Sequence, residues 1–326
     1  MLRSLLEEEI QRFKMGNMVR RLIVVNVVVF ISVNLVNLAF FLAFQFSSPD
    51  PGTFYPGSSY QKAYNAFIHF FSMSSSGWYV LTHPWTVITH MFLHEGFWHI
   101  LWNMLFLYWF GRIVGDFIGN QKILPIYLLS GFAGAVMYFL GAAVFTNGLI
   151  APFALGASAA VMGITAVSGM IAPDYSMRLL LIGDVKLKYI VVTVILIDLF
   201  SISYGGNTGG HVAHLGGAAM GILFAYQLRQ GNDWSIWVNK IIDRITGLFT
   251  GRSSGSSRRK PKVVYRNTEK IKNKKSERPS RRGRAKSDSD VNHEEKLNAI
   301  LEKIKESGYQ NLTEEEKEFL VNASKK

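Results

Sequence analysis

Six apolar stretches, each about as long as a bilayer is thick, constrain this chain more than any other feature. They run at about Leu22–Phe44, Phe97–Val114, Ile123–Phe145, Gly156–Ala172, Tyr189–Ser203 and His211–Leu228. A membrane helix needs roughly 17–25 mostly apolar residues, and these stretches reach or approach that length. The charges between them alternate. Arg12, Lys14, Arg20 and Arg21 precede the first stretch, Arg112 and Lys122 flank the join of two and three, and Arg178, Lys186 and Lys188 lie between four and five. The other three connections carry only Lys62. Positive loops stay inside, so both termini are predicted to be cytoplasmic. Spans two, four and six then all begin at the outer face. The first stretch is too long for a signal-peptide core and no small-residue cleavage site follows it, so it is read as retained. The fold class expected is all-α, a polytopic six-helix bundle.

The net charge of +12 belongs to one segment. Residues 252–286 hold 15 Lys/Arg against Glu269 and Glu277, which leaves the rest of the chain close to neutral. Five regions are therefore expected. Residues 1–21 form a cytoplasmic amphipathic segment and 22–230 the six-span domain. Residues 233–250 carry Trp234, Trp237, Ile241, Ile245 and Leu248 at helical spacing, which predicts an amphipathic helix on the inner membrane face. Residues 251–290 lack a core and read as a disordered basic linker drawn to anionic lipid headgroups. That tethering accounts for the charge without nucleic acid. In residues 291–326, a stripe of Leu297, Ile300, Leu301 and Ile304 ends at Gly308, and Thr313–Glu316 forms a capping box before a second helix. Nothing in the sequence fixes an oligomeric state.

The long first connection, from about Gln45 to Glu95, is rich in aromatics. Phe67, Phe70, Phe71, Trp78 and Trp85 predict a segment lying in the membrane interface. The inner loop Leu179–Tyr189 reads as a small hairpin turning at Gly183–Asp184. Asn26, Asn34 and Asn37 in the first span are expected to hydrogen-bond between helices.

Chemistry enters with the polar residues that open spans two, four and six. With no cysteine in the chain, thiolate catalysis and Cys-ligated zinc are excluded. A lone membrane serine usually packs or bonds to its own helix. Ser158, however, sits among Gly156, Ala157, Ala159, Ala160 and Gly163, small residues that let helices approach closely. His214 is framed in the same way by Gly216, Gly217, Ala218 and Gly221. An ionisable residue within a membrane is costly and marks function by default. A serine needs a base to become a nucleophile, and His214 is the candidate. His99 and Asn103, spaced i, i+4, project from one face of span two and are candidate oxyanion donors with the Ser158 amide. No acidic third member is evident: Asp198 is intramembrane, but span five runs the other way, and near its outer end this residue either lines the bundle or sits at the interface. A Ser158–His214 dyad is therefore expected. His90 and His94 are expected to brace the loop by hydrogen bonds, and His211 to be a loop residue at the mouth.

Together these residues resemble the rhomboid family of intramembrane serine proteases. The pattern His-x₃-His-x₄-His-x₃-Asn is met by His90, His94, His99 and Asn103, and Ala-His-x₂-Gly-x₃-Gly by Ala213, His214, Gly217 and Gly221. Gly-x-Ser-Gly is met at Gly156 and Ser158, but Ala159 stands where the family has glycine. The resemblance covers roughly residues 15–230. It implies catalysis by Ser158 and His214, an oxyanion hole from His99, Asn103 and the Ser158 amide, and structural support from Gly156, His90, His94, Gly217 and Gly221. It implies no metal or cofactor. The implied substrates are single-pass membrane proteins whose helices unwind near the outer surface. The C-terminal extension is similar to that of some bacterial members, which implies the bacterial cytoplasmic membrane. On this reading the Ala159 methyl lies beside the oxyanion hole and tightens it. Met162 takes a position where relatives often carry an aromatic against the histidine.

Three rival readings follow from the same residues. His94 and His99 are one residue too far apart for the His-Glu-x-x-His zinc motif, since i, i+5 on a helix places them about 140° apart. Asp184 and Asp198 are poorly placed for an aspartyl protease. A catalytically silent rhomboid-like adaptor that binds membrane clients would keep the geometry without the chemistry.

Overall fold

In the computed structural model the described residues are 17–47, 58–145, 148–179, 183–204, 206–250, 296–304 and 308–323. Most of the 1–21 segment and the whole 251–290 linker lie outside them. Among the described residues the first unit has ten α-helices: α1 (Met18–Ser47), α2 (Ser59–His69), α3 (Gly77–Thr82), α4 (Thr86–Thr89), α5 (Phe97–Ile118), α6 (Ile123–Val144), α7 (Ser158–Ile171), α8 (Leu187–Ser201), α9 (Thr208–Arg229) and α10 (Ser235–Thr250). Among the described residues the fold is all-α apart from two short antiparallel pairs. β1 (Met73–Ser74) pairs with β2 (Phe153–Ala154), and β3 (Ser176–Leu179) with β4 (Gly183–Lys186).

Each of the six apolar stretches falls on one of the longer helices. By length and hydropathy, α1 and the run Asn120–Val144 are long and apolar enough to cross a membrane. The helix α7 has only 14 residues, about 21 Å at 1.5 Å per residue, so it is shorter than a bilayer core. The outward faces are apolar: Val28, Ile31 and Leu35 on α1, Leu140 and Val144 on α6, and Val192, Leu196 and Phe200 on α8 are all exposed. An apolar surface on this scale marks contact with lipid or protein rather than water.

Three helices form the tight centre. A side chain at Gly217 or Gly221 on α9 would drive into the carbonyls of Ala159 and Gly163 on α7, and one at Gly163 would strike Ser130 on α6. The pairing 159 with 217 and 163 with 221 makes α7 and α9 parallel, with backbones in contact. The helix α6 runs antiparallel to both, with Gly134 against Ala159 and the Ala213 carbonyl. The two small-residue stripes expected to pack together do so.

From residue 58 onward the first connection is a set of short helices. Trp85 Nε1 donates to the Phe70 carbonyl (2.8 Å), His69 stacks on Phe153 at 3.8 Å, and Trp78 is 76% exposed. Pairing of β1 with β2 ties this connection to the strand that precedes Ser158. Asn26 Nδ2 reaches Tyr127 on α6 at 3.4 Å, and Asn37 bonds Tyr60 on α2. Asn34 instead donates to Phe30 of its own helix, so only two of the three asparagines bridge helices. The predicted hairpin is present, but Gly183 (φ +90°) and Asp184 open its second strand rather than forming its turn. Where α9 ends, Lys122 pairs with Asp233, and Asp233 caps α10 through the Ser235 amide (2.9 Å). Burial opposes ionisation of Asp233, yet its bonds to Lys122 and Ser235 outweigh this and hold the carboxyl below its usual range.

In the second unit, residues 296–304 are helical, and the amide of Gly308 (φ +81°) donates to the Ile304 carbonyl (2.9 Å). Here α12 (Glu314–Ala323) follows the helix 296–304, α11 in chain order. The capping box forms as expected: the Thr313 amide donates to Glu316 (2.8 Å) and the Glu316 amide to Thr313 Oγ1 (3.4 Å). Ile300 and Leu312 are buried, and Lys303 pairs with Glu316 at 2.9 Å.

Candidate active site

Ser158 is the first residue of α7, and the five residues before it are held from the side of the first connection. Gly156 adopts φ +131°, a conformation that favours glycine, and a Cβ there would come within 2.8 Å of the His99 ring. Its amide donates to the His90 carbonyl (2.9 Å), and the Ala157 amide donates to His94 Nε2 (3.3 Å). His90 is itself fixed through Nδ1 to the Thr86 carbonyl at 2.8 Å. His90 and His94 thus each contact the turn that leads into α7, one through its carbonyl and the other through its ring. As the first residue of a helix, Ser158 also offers an amide that the helix leaves unpaired, at the positive end of its dipole.

Residues His94 and His99 do not share a helix. His94 lies in the loop before α5, with its ring 5.0 Å from that of His99, so the helical-wheel argument against zinc does not apply. His94 Nε2 accepts the Ala157 amide. His99 and Asn103 lie on one face of α5, and Asn103 Nδ2 donates to the His99 carbonyl (2.8 Å), leaving its second N–H free to donate elsewhere.

A cavity of about 1410 Å³ brings Ser158, His214, His99, Asn103 and Asp198 together. Trp98, Trp102 and Phe106 of α5 and Val194 and Ile197 of α8 give it apolar walls. Among the described residues no hydrogen bond joins Ser158 Oγ to His214; they share the cavity without touching through polar atoms.

Two expectations are overturned here. First, His214 has an acidic partner: its Nδ1 lies 2.9 Å from Asp198 Oδ1. Because α8 is antiparallel to α9, its last turn is level with the first turns of α9, which is why opposite direction does not keep Asp198 away. His211 is not a loop residue but lies on α9, and its Nδ1 meets the same Asp198 oxygen at 2.6 Å. A carboxylate only accepts, so both imidazoles donate from Nδ1 and the His214 Nε2 lone pair is left available. The one clue in sequence was an aspartate in an otherwise apolar span. Second, the Ala159 methyl does not point at His99 or Asn103. It packs against Gly134 of α6, beside Ala213, and Ala159 does not line the large cavity. The space for the extra carbon is supplied by the missing side chain at Gly134. Met162, by contrast, lines the large cavity and packs beside Ala166 and Ala218.

Comparison with known proteins agrees with this geometry. Residues 81–231 match the rhomboid domain, and residues 289–326 match a family of unknown function, DUF6576. The chain is 29% identical over 157 residues to RHOMBOID-like protein 12, mitochondrial, of Arabidopsis thaliana, covering 45% of this chain and 47% of that protein. It is 27% identical to Rhomboid-like protease 3 of Toxoplasma gondii, covering 47% of this chain and 55% of the relative. It is also 27% identical to Rhomboid protease GluP of Bacillus subtilis, covering 44% and 26%. The chain thus spans about half or less of the length of these curated relatives. With motif residues converging on one cavity and a matching family model around them, residues 81–231 are a rhomboid domain.

Proposed function

We propose that this protein is an intramembrane serine endopeptidase in which Ser158 is the nucleophile and His214 the general base. The observation that carries the reading is the Asp198–His214 bond inside the cavity that Ser158 lines. It holds the imidazole in the tautomer whose Nε2 accepts a proton, the arrangement a serine hydrolase requires. His214 Nε2 takes the Ser158 hydroxyl proton as Oγ attacks the scissile carbonyl. The developing oxyanion accepts from His99, the second Asn103 N–H and the Ser158 amide. The imidazolium then protonates the leaving amine, and water, deprotonated by the same nitrogen, releases the acyl group. Asp198 extends the expected dyad as a positioning residue for His214.

The helices carry an apolar belt, so the active site lies within the bilayer, with both termini on the cytoplasmic side. In this orientation Trp78 and the aromatic first connection rest in the outer interface, α10 lies on the inner one, and the basic linker meets anionic headgroups. The substrates are single-pass membrane proteins whose helices unwind near the outer surface.

Cleavage of a panel of single-pass reporters in liposomes tests this. Wild type should cut, and Ser158→Ala and His214→Ala should each lose at least about 10³-fold in rate. A fluorophosphonate should label Ser158 in wild type alone. A wild type that leaves every reporter intact and takes no label returns the silent-adaptor reading.

A further inference from the structure

His211 has no part in the proteolytic chemistry, yet it sits against the one carboxylate that orients the base. It does not line the large cavity, and its Nδ1 shares Asp198 Oδ1 with His214. The three side chains offer one carboxylate oxygen and two imidazole nitrogens, all within 4.8 Å of one another. Among the described residues it is the one group of three such donors gathered at this distance; His90, His94 and His99 belong to none. The two histidines stand i, i+3 on one face of α9, and the aspartate comes from the last turn of the antiparallel α8.

We propose that Asp198, His211 and His214 form a binding site for a divalent transition-metal ion, zinc or a similar borderline cation, and that its occupation switches off the catalytic base. The inhibitory half of this proposal rests on the serine-protease reading above; the binding half does not. The donor set, two imidazoles and one carboxylate, suits such an ion and leaves a fourth position for water. With ligand bonds of about 2.0–2.2 Å, two ligands of a tetrahedral ion stand roughly 3.3 Å apart. The present separations of 2.6 and 2.9 Å need to widen by about 0.7 and about 0.4 Å to reach that spacing. Access is open, since the His211 and His214 side chains are 22% and 19% exposed.

The inhibition follows from where the imidazole keeps its proton. A neutral ring has one. In the metal-free site it is on Nδ1, donated to Asp198, and the Nε2 lone pair is available to Ser158. A metal binds Nδ1 only in the other neutral tautomer, in which Nδ1 holds a lone pair and the ring's single proton sits on Nε2, so no acceptor remains for the Ser158 hydroxyl. The proton count of each ring is unchanged and no other reactant is needed. The base is silenced without any group entering the substrate cavity.

Two measurements on the full chain in detergent separate the halves. Cobalt(II), whose visible absorption reports coordination, is titrated into the Ser158→Ala protein. One equivalent should bind, and adding His211→Gln or Asp198→Asn should weaken it by at least about tenfold, the scale of losses at metal sites. His211→Gln is the informative change, because glutamine still donates to Asp198 and leaves the Asp198–His214 bond intact. Zinc is then titrated against reporter cleavage. Inhibition should be saturable and reversed by EDTA, and its midpoint should rise at least about tenfold in His211→Gln, which keeps most of its basal cleavage. Absence of cobalt binding, or equal binding by His211→Gln, overturns the site. Cobalt binding without zinc inhibition of a cutting enzyme overturns the switch. Cobalt binding in a chain that cuts no reporter retains the site and instead refutes the protease reading.

Discussion

The seam between α7 and α9 and the pair of helices in the C-terminal unit are both helix pairs, and they are held by opposite means. In the seam, Gly217 and Gly221 place the α9 backbone directly on the carbonyls of Ala159 and Gly163, and what holds it is the absence of side chains. In the C-terminal unit, an ion pair from Lys303 to Glu316, the Thr313–Glu316 capping box and two buried aliphatics, Ile300 and Leu312, do the work. Close backbone packing sets positions to a fraction of an ångström and tolerates no added atom. Polar caps and ion pairs at a surface forgive substitution. The reactive groups are mounted on the first kind of contact, as a nucleophile and a base on separate helices require.

The largest expected effect comes from breaking the seam. Gly217→Ala places a methyl well inside contact distance of the Ala159 carbonyl, with only backbone to yield. It should cost at least about 3 kcal/mol, the upper range for overpacking, and remove activity, seen as a lowered thermal unfolding midpoint in detergent. Asp198→Asn leaves the seam whole and tests what it supports. The cleavage rate should fall by about 10²–10⁴-fold with little change in unfolding temperature, because the amide no longer fixes the His214 tautomer. A rate drop matched by an equal loss of stability would reduce Asp198 to a packing role.

Ala159→Gly sharpens the comparison from the other side. The methyl fills the notch at Gly134 and not the oxyanion region, so glycine should destabilise the protein by about 1 kcal/mol and change cleavage only a few-fold. A large gain in rate would mean that the methyl does reach the hole. In the C-terminal unit Thr313→Ala should cost about 1 kcal/mol, measured as faster amide exchange over residues 314–317 with the first unit unaffected. The smallest effect is a pH dependence. The Lys303 ammonium, helped by the Thr313 amide, holds the Glu316 carboxyl below its ordinary value of 4.5. A depressed folded-state value means that this stabilisation is complete above pH 4.5 and lost as the pH falls through the depressed value. Glu316→Gln should flatten that part of the acid titration of the helix signal.

Features that depend on local spacing were legible in the chain. The helix runs, the glycine stripes and the capping box at Thr313 each rest on residues within a few positions of one another. The β1–β2 pairing of Met73 with Ala154 was not legible, since two-residue strands carry no period. Nor was the partner of His214, because Asp198 lies 16 residues away on a helix of opposite direction. For His94, the assumption of a continuing helix was the error: the chain turns through Gly96 before α5 begins.

By itself the sequence determined which segments are apolar helices, and which small and polar residues share a face. Those follow from solvent preference and a fixed helical period. Only the tertiary structure decided what each face meets. The level at which α8 ends beside α9 made Asp198 the partner of both histidines, and the rotation of α7 turned the Ala159 methyl toward Gly134 instead of the reacting atoms. Helix register and rotation are set by the sum of many interhelical contacts, and no single stretch of sequence contains that sum.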